Sequence, residues 1–189
     1  MKPRFCRLPV RQTFVFLVFV LGSVARAASP IGSEARQLDF AVGEWSLESL
    51  DGRVCGSAKI ETVANGAGLT ERRTGLYSAE PNEHSLLAWS PDTRQWRQFR
   101  VTKRGIVSDL NGHWVNGSMV FEGLRPNVDR DVLERVTWTP LSDNSLRQVR
   151  EESSDGARSW QPLVNVVYRR VNERMAGAEL PKTFRYLLW

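Results

Sequence analysis

Three short segments place charged or amide side chains where the inward face of a strand belongs. In Leu69-Thr70-Glu71-Arg72-Arg73-Thr74, one face carries Glu71 and Arg73, and the other carries Thr70, Arg72 and Thr74. In the segment from Leu146 to Glu152, one face holds Gln148, Arg150 and Glu152. The other holds Arg147 and Glu151 around Val149. In the segment from Gln95 to Arg100, the residues Trp96, Gln98 and Arg100 share a face. Successive strand side chains point to opposite faces, so neither of the first two segments has a wholly apolar side. Burying such groups is costly unless they are paired or meet a polar guest. The segments therefore predict internal ion pairs or a pocket, unless they lie as solvated edges. Aromatic walls with a few converging polar groups describe a small-molecule pocket. The candidate ligand contacts are Glu71, Trp96, Gln98, Arg100, Trp138, Gln148 and Arg150. Arginine's planar fork suits carboxylate and phosphate, so the expected ligand is small and anionic or amphipathic.

Other chemistry is weak. The two histidines are His84 and His113, and neither belongs to a His-x-x-x-His pair. No nucleophile elbow and no phosphate-cradling Gly-x-x-x-x-Gly-Lys loop is present. Asp109 and His113 share a face if they lie on one strand, but about 13 Å apart, too far for a direct dyad. Glu151 and Glu152 are adjacent and would point to opposite faces. Cys6 lies ahead of the first apolar run and Cys55 stands alone after it. Neither an internal disulfide nor a cysteine-based zinc site is expected in the processed chain, and Cys55 reads as a small buried thiol. Asn116-Gly117-Ser118 matches a glycosylation sequon but reads as turn chemistry. No metal, cofactor or catalytic residue is assigned.

The elements that must position these residues are short strands. After Gly43 the apolar period becomes two, and turn signals recur at Asp51-Gly52, Asn65–Gly68, Ser90–Asp92, Lys103–Gly105, Asn116-Gly117, Pro126-Asn127, Pro140–Asn144 and Asp155-Gly156. Asn-Gly and Asp-Gly suit hairpins because both central turn positions require positive φ. About ten strands are predicted over residues 44–171, forming an all-β, antiparallel up-and-down barrel or a sandwich. Met119 and Phe121 share parity, as do Val132, Val136 and Trp138. So do Trp160, Val164, Val166 and Tyr168. A short helix over 33–42 is expected ahead of the first strand, and a tail over 172–189 after the last.

Residues 1–27 have a basic start, an apolar run from Thr13 to Val24 and the small-residue site Ala25-Arg26-Ala27. The run is too short to span a bilayer. The pattern is that of a secretory signal peptide cleaved after Ala27, giving a secreted or periplasmic protein. The chain's formal net charge is +5, with 26 basic and 21 acidic residues. The leader holds Lys2, Arg4, Arg7, Arg11 and Arg26 and no acid, so the processed chain is neutral. Neutrality removes the general attraction a nucleic-acid binder needs. No nucleic-acid partner and no stable membrane span in the processed chain are expected.

Gly43-Glu44-Trp45 matches the Gly-x-Trp opening of lipocalins and fatty-acid-binding proteins. The longer stretch from Leu38 to Trp45 resembles the DFxxGEW opening of a family of secreted bacterial lipocalin-like proteins of unknown function. Trp89–Trp96, Trp138–Asp143, Glu152–Trp160 and Tyr168-Arg169-Arg170 fit the same family, so the resemblance covers about residues 38–171. It implies a calycin-type barrel, more distantly similar to nitrobindin. It also implies that Trp45 plugs the barrel base under Arg169 or Arg170. It brings no catalytic residue. Haem ligation on a late strand is not implied, since no histidine follows His113. Arg100 and Arg150 stand where the family has aromatic residues, which predicts a more cationic cavity.

The leading expectation is a barrel that binds a small molecule in a mixed aromatic and cationic cavity. The alternatives are an enzyme using Glu71 or Glu152 as a buried acid–base group, and an exterior interaction module using the tail from Phe184 to Trp189.

Overall fold

The computed structural model describes residues 32–75, 83–126 and 130–171. The leader and the Phe184–Trp189 tail lie outside the described residues. The ten strands are β1 (Gly43–Ser49), β2 (Val54–Val63), β3 (Gly68–Thr74), β4 (Glu83–Ser90), β5 (Gln95–Thr102), β6 (Val107–Val115), β7 (Ser118–Arg125), β8 (Val132–Pro140), β9 (Leu146–Ser153) and β10 (Gln161–Arg170). Each pairs antiparallel with its sequence neighbours, and β1 pairs with β10 to close the barrel. The architecture fits a lipocalin- or fatty-acid-binding-protein-like barrel. Closure leaves no edge strand among the ten, so the solvated-edge reading of the charged segments fails.

Local chemistry sets the hairpins. Between β6 and β7, Asn116 has φ 48° and Gly117 φ 80°. Consecutive positive φ values are what a tight primed turn requires, and Asn-Gly tolerates them best. In place of the expected helix over 33–42, the chain makes two 3₁₀ turns, Ser33–Arg36 and Asp39–Ala41. Leu38 and Ala41 are buried between and within them.

The interior is divided along the barrel axis. Toward the end covered by the 3₁₀ turns lie Trp45, Leu69, Leu87, Trp96, Met119, Trp138, Leu146 and Tyr168, all buried. Toward the other end lie Arg73, Glu83, Arg100, Ser108, Glu134 and Arg150, also buried. Apolar burial at about 25 cal/mol per Å² stabilises the first half. The second depends on internal pairing.

One parity expectation fails. Trp160 does not face inward with Val164, Val166 and Tyr168. The register of β10 against β9 shifts between Pro162 and Val164, with Pro162 opposite Glu151 and Val164 opposite Arg150. A bulge of this kind inserts one extra residue and reverses the faces before it. Trp160 instead lies under Arg135, whose guanidinium carbon is 3.8 Å from the ring centroid.

Candidate functional site

The covered end is built around Trp45. Its indole Nε1 donates to Ala41 O at 2.9 Å, its ring meets Tyr168 edge-on, and the Arg170 guanidinium carbon lies 4.3 Å from the ring centroid. Arg170 also donates to Val42 O and Phe40 O, both at 2.9 Å, tying the closing strand to the cap. Gly43 makes this approach possible: its φ is 148°, and a Cβ there would meet Arg170 Nη1 at 2.6 Å. That is a physical reason for glycine in Gly-x-Trp. Arg169, the other candidate for the base, points outward. Its side chain is 45% exposed and pairs with Glu48 and Asp143. The two arginines are adjacent on one strand, so only one of them can face in.

Trp96 belongs to this end too. Its Nε1 donates to Glu34 O at 3.2 Å and Gln37 Oε1 at 3.1 Å, so it anchors the first 3₁₀ turn instead of lining a polar chamber. That corrects its expected role as a ligand contact.

The polar half is where the remaining candidates meet. Gln98, Arg100, Gln148 and Arg150 are 1%, 4%, 2% and 3% exposed, so all four face inward. Glu71 is buried with them, and Trp138 is buried toward the aromatic half, beside Tyr168. Glu83 is the acceptor on which the arginines converge. Its Oε1 accepts from Arg73 Nη1 at 3.0 Å, and its Oε2 accepts from Arg100 Nη1 at 3.0 Å and Arg150 Nη1 at 3.1 Å. Arg73 Nη1 also donates to Gln148 Oε1 at 2.7 Å. A second carboxylate, Glu134, accepts from Arg100 and from Ser108 Oγ, the latter at 2.6 Å. Arg125 Nε lies 3.2 Å from Glu134, and Arg125 Nη2 donates to Glu152 at 2.8 Å.

The expectation of a cationic cavity is therefore corrected. Glu83 pairs with Arg73, Arg100 and Arg150, and Glu134 pairs with Arg100, because unpaired guanidinium groups would be very costly to bury. Glu152 is partly exposed and engaged with Arg125, which removes it as a deeply buried acid. Glu83 and Glu134 were missed in the sequence. The signal for Glu134 was available: it shares parity with Val132, Val136 and Trp138. Glu83 starts its strand two residues before Ser85 and four before Leu87, both buried.

The carboxyl groups differ in character. Burial pushes Glu83 up, but Arg73, Arg100 and Arg150 together pull it down to about 2. Burial dominates at Glu71 and raises its carboxyl, against the pull of Arg73. Tyr168 Oη donates to Glu71 Oε1, while Glu71 Oε2 has no hydrogen-bond partner among the described residues. Ser85 Oγ, Gln98 Oε1 and Trp138 Nε1 are likewise buried without partners among the described residues.

Other expectations fall outside the barrel interior. His84 and His113 are exposed, and Asp109 pairs with Arg97 at 2.5 Å. Cys55 is half-buried, with Sγ 3.4 Å from Leu47 O, and burial raises its thiol. No group of three potential metal ligands occurs among the described residues. No helix among them is long and apolar enough to cross a membrane.

Compared with models of protein families and with curated proteins, the chain shows no match.

Proposed function

We propose that the protein is a secreted or periplasmic barrel of the lipocalin-like type that binds a small anionic or amphipathic molecule inside. The reading rests chiefly on the buried polar atoms Glu71 Oε2, Ser85 Oγ, Gln98 Oε1 and Trp138 Nε1, which have no hydrogen-bond partner among the described residues. Each such group costs about 1–3 kcal/mol if left unmet. A polar guest offsets that cost, and the four atoms supply both donors and acceptors. The anionic group of the guest competes with Glu83 for Arg100 and Arg150. Its apolar part lies toward Trp138 and Tyr168, whose rings are 6.2 Å apart. Leader cleavage after Ala27 and kinship with the DFxxGEW proteins belong to the same proposal.

The test is native mass spectrometry of protein purified from its own host, followed by titration of the emptied barrel with the molecule that co-purifies. Arg150→Ala should weaken that binding by about 2–5 kcal/mol, the scale for removing one partner of a buried charge pair. A barrel that carries no small molecule and binds none of a panel of fatty acids and aryl carboxylates would overturn the reading.

One observation favours a second reading, an enzyme on the same barrel. Glu71 combines a raised carboxyl with an unpartnered oxygen, as a general acid requires. In that case Glu71→Gln abolishes turnover of the bound molecule and leaves its binding in place.

A further inference from the structure

The outer face carries a separate constellation. Lys59 on β2 stands directly opposite Arg72 on β3, and Arg72 stands directly opposite His84 on β4. Three basic side chains thus form a row across three neighbouring strands. The row faces away from the interior, since Ala58, Arg73, Glu83 and Ser85 beside them in sequence are buried. Glu44 on β1 stands opposite Lys59 and ends the row. Lys59 Nζ is matched by Glu61 at 2.9 Å and Glu44 at 3.8 Å. Arg72 forms no ion pair with any described residue. Like charges placed directly opposite on a sheet are destabilising, so Arg72 opposite Lys59, with no acid of its own, is an unfavourable arrangement by itself.

These side chains surround a groove of about 470 Å³, whose walls also include Glu44, Ser57 and Thr74. Ser57 Oγ and Thr74 Oγ1 lie 2.7 Å apart, two residues along the strands from Lys59 and Arg72. Charged and neutral donors therefore flank one concave surface. We propose that this groove binds a phosphate-bearing molecule, held by Arg72 and His84 with help from Lys59. A phosphate presents several acceptor oxygens at once. The guanidinium fork takes two of them, while an imidazole N–H and a hydroxyl take others. Glu44 repels an anion from its own end and so places the phosphate toward Arg72 and His84. The phosphate belongs either to a soluble ester or to a lipid headgroup. The groove is also lined by Trp45, Ala58 and Arg73, which are buried, but its use does not require a guest inside the barrel.

The test uses the full chain, with Arg72→Ala and Arg97→Ala as variants. Arg97 is another exposed arginine, already paired with Asp109, and controls for lost charge. Each protein is titrated calorimetrically with phenyl phosphate and sedimented with phosphatidylcholine vesicles with and without phosphatidic acid. The expected result is saturable binding that Arg72→Ala weakens about tenfold or more, with Arg97→Ala unchanged. Such a loss seen with phenyl phosphate identifies a soluble ester. The same loss seen only with phosphatidic acid vesicles identifies a headgroup. Absence of saturable binding to both by the wild type, or binding retained by Arg72→Ala, would overturn the proposal, as would equal loss in the two variants.

Discussion

Tyr168 Oη donates a 2.7 Å hydrogen bond to Glu71 Oε1, joining β10 to β3 across 97 positions of the chain. Both side chains are fully buried, and Arg73 lies beside them, its guanidinium carbon 5.8 Å from the Tyr168 ring centroid. Burial raises the Tyr168 hydroxyl well above its ordinary value. The tyrosine therefore keeps its proton and acts as a fixed donor. The contact is the hinge between the aromatic and charged halves of the interior, since the same Tyr168 ring packs against Trp45 and Trp138.

Glu71 makes stability fall as pH rises. Its folded carboxyl binds a proton more tightly than the unfolded one. Above the ordinary glutamate value of about 4.3, the unfolded chain ionises first and the folded state loses ground until Glu71 itself ionises. Glu71→Gln cannot ionise and still accepts from Tyr168. Urea midpoints taken between about pH 5 and 8 should decline less in Glu71→Gln than in the wild type. Parallel pH profiles would show that Glu71 does not carry the effect.

Glu83 acts in the opposite sense. Its carboxyl is held down at about 2 by three guanidinium groups, so its contribution is complete above the ordinary value and disappears as pH falls toward 2. The shift corresponds to about 3 kcal/mol. Glu83→Gln should flatten the acid limb of the stability profile. It should also cost about 3–5 kcal/mol at neutral pH, because the arginines lose their shared anion. Thermal or urea unfolding across the acid range measures both effects, and an unchanged acid limb would contradict the assignment.

Trp45→Ala should lower stability by about 3–5 kcal/mol, as truncation of large buried aromatics does. The substitution removes the ring under Arg170 and the bond to Ala41 O. A denaturant midpoint equal to that of the wild type would show that the covered end does not depend on this ring.

Terminal sequencing of exported protein should begin at Ala28. A leader found intact on exported protein would withdraw both the cleavage site and the neutral charge of the processed chain.

The barrel was legible because its signals are local. Period-two patterning and the turn residues at Asn116-Gly117 and Asp51-Gly52 depend on φ/ψ preferences of single residues. Parity put Gln98 with Arg100 and Gln148 with Arg150 on shared faces; closure of the barrel turned those faces inward. Trp160 was misread because a bulge inside β10 breaks parity, and no residue type announces it. Trp96 was misplaced because parity names a face but not a height along the barrel. The cap contacts at Glu34 and Gln37 decided that height.

By itself the sequence determined an antiparallel set of about ten strands, with polar faces on the segments that became β3, β5 and β9; which way those faces point, and that Arg170 rather than Arg169 passes over Trp45, came from the closed barrel. Only the tertiary structure decided which acids meet which bases. Arg150 and Glu83 are 67 positions apart, and Arg100 and Glu134 are 34 apart. Closing the barrel brings their strands' inner faces onto one buried volume, where unpaired charge is too costly to persist. That requirement turned a row of arginines that reads as cationic into a network paired with buried carboxylates. It is a property of the enclosed volume, and no single strand contains it.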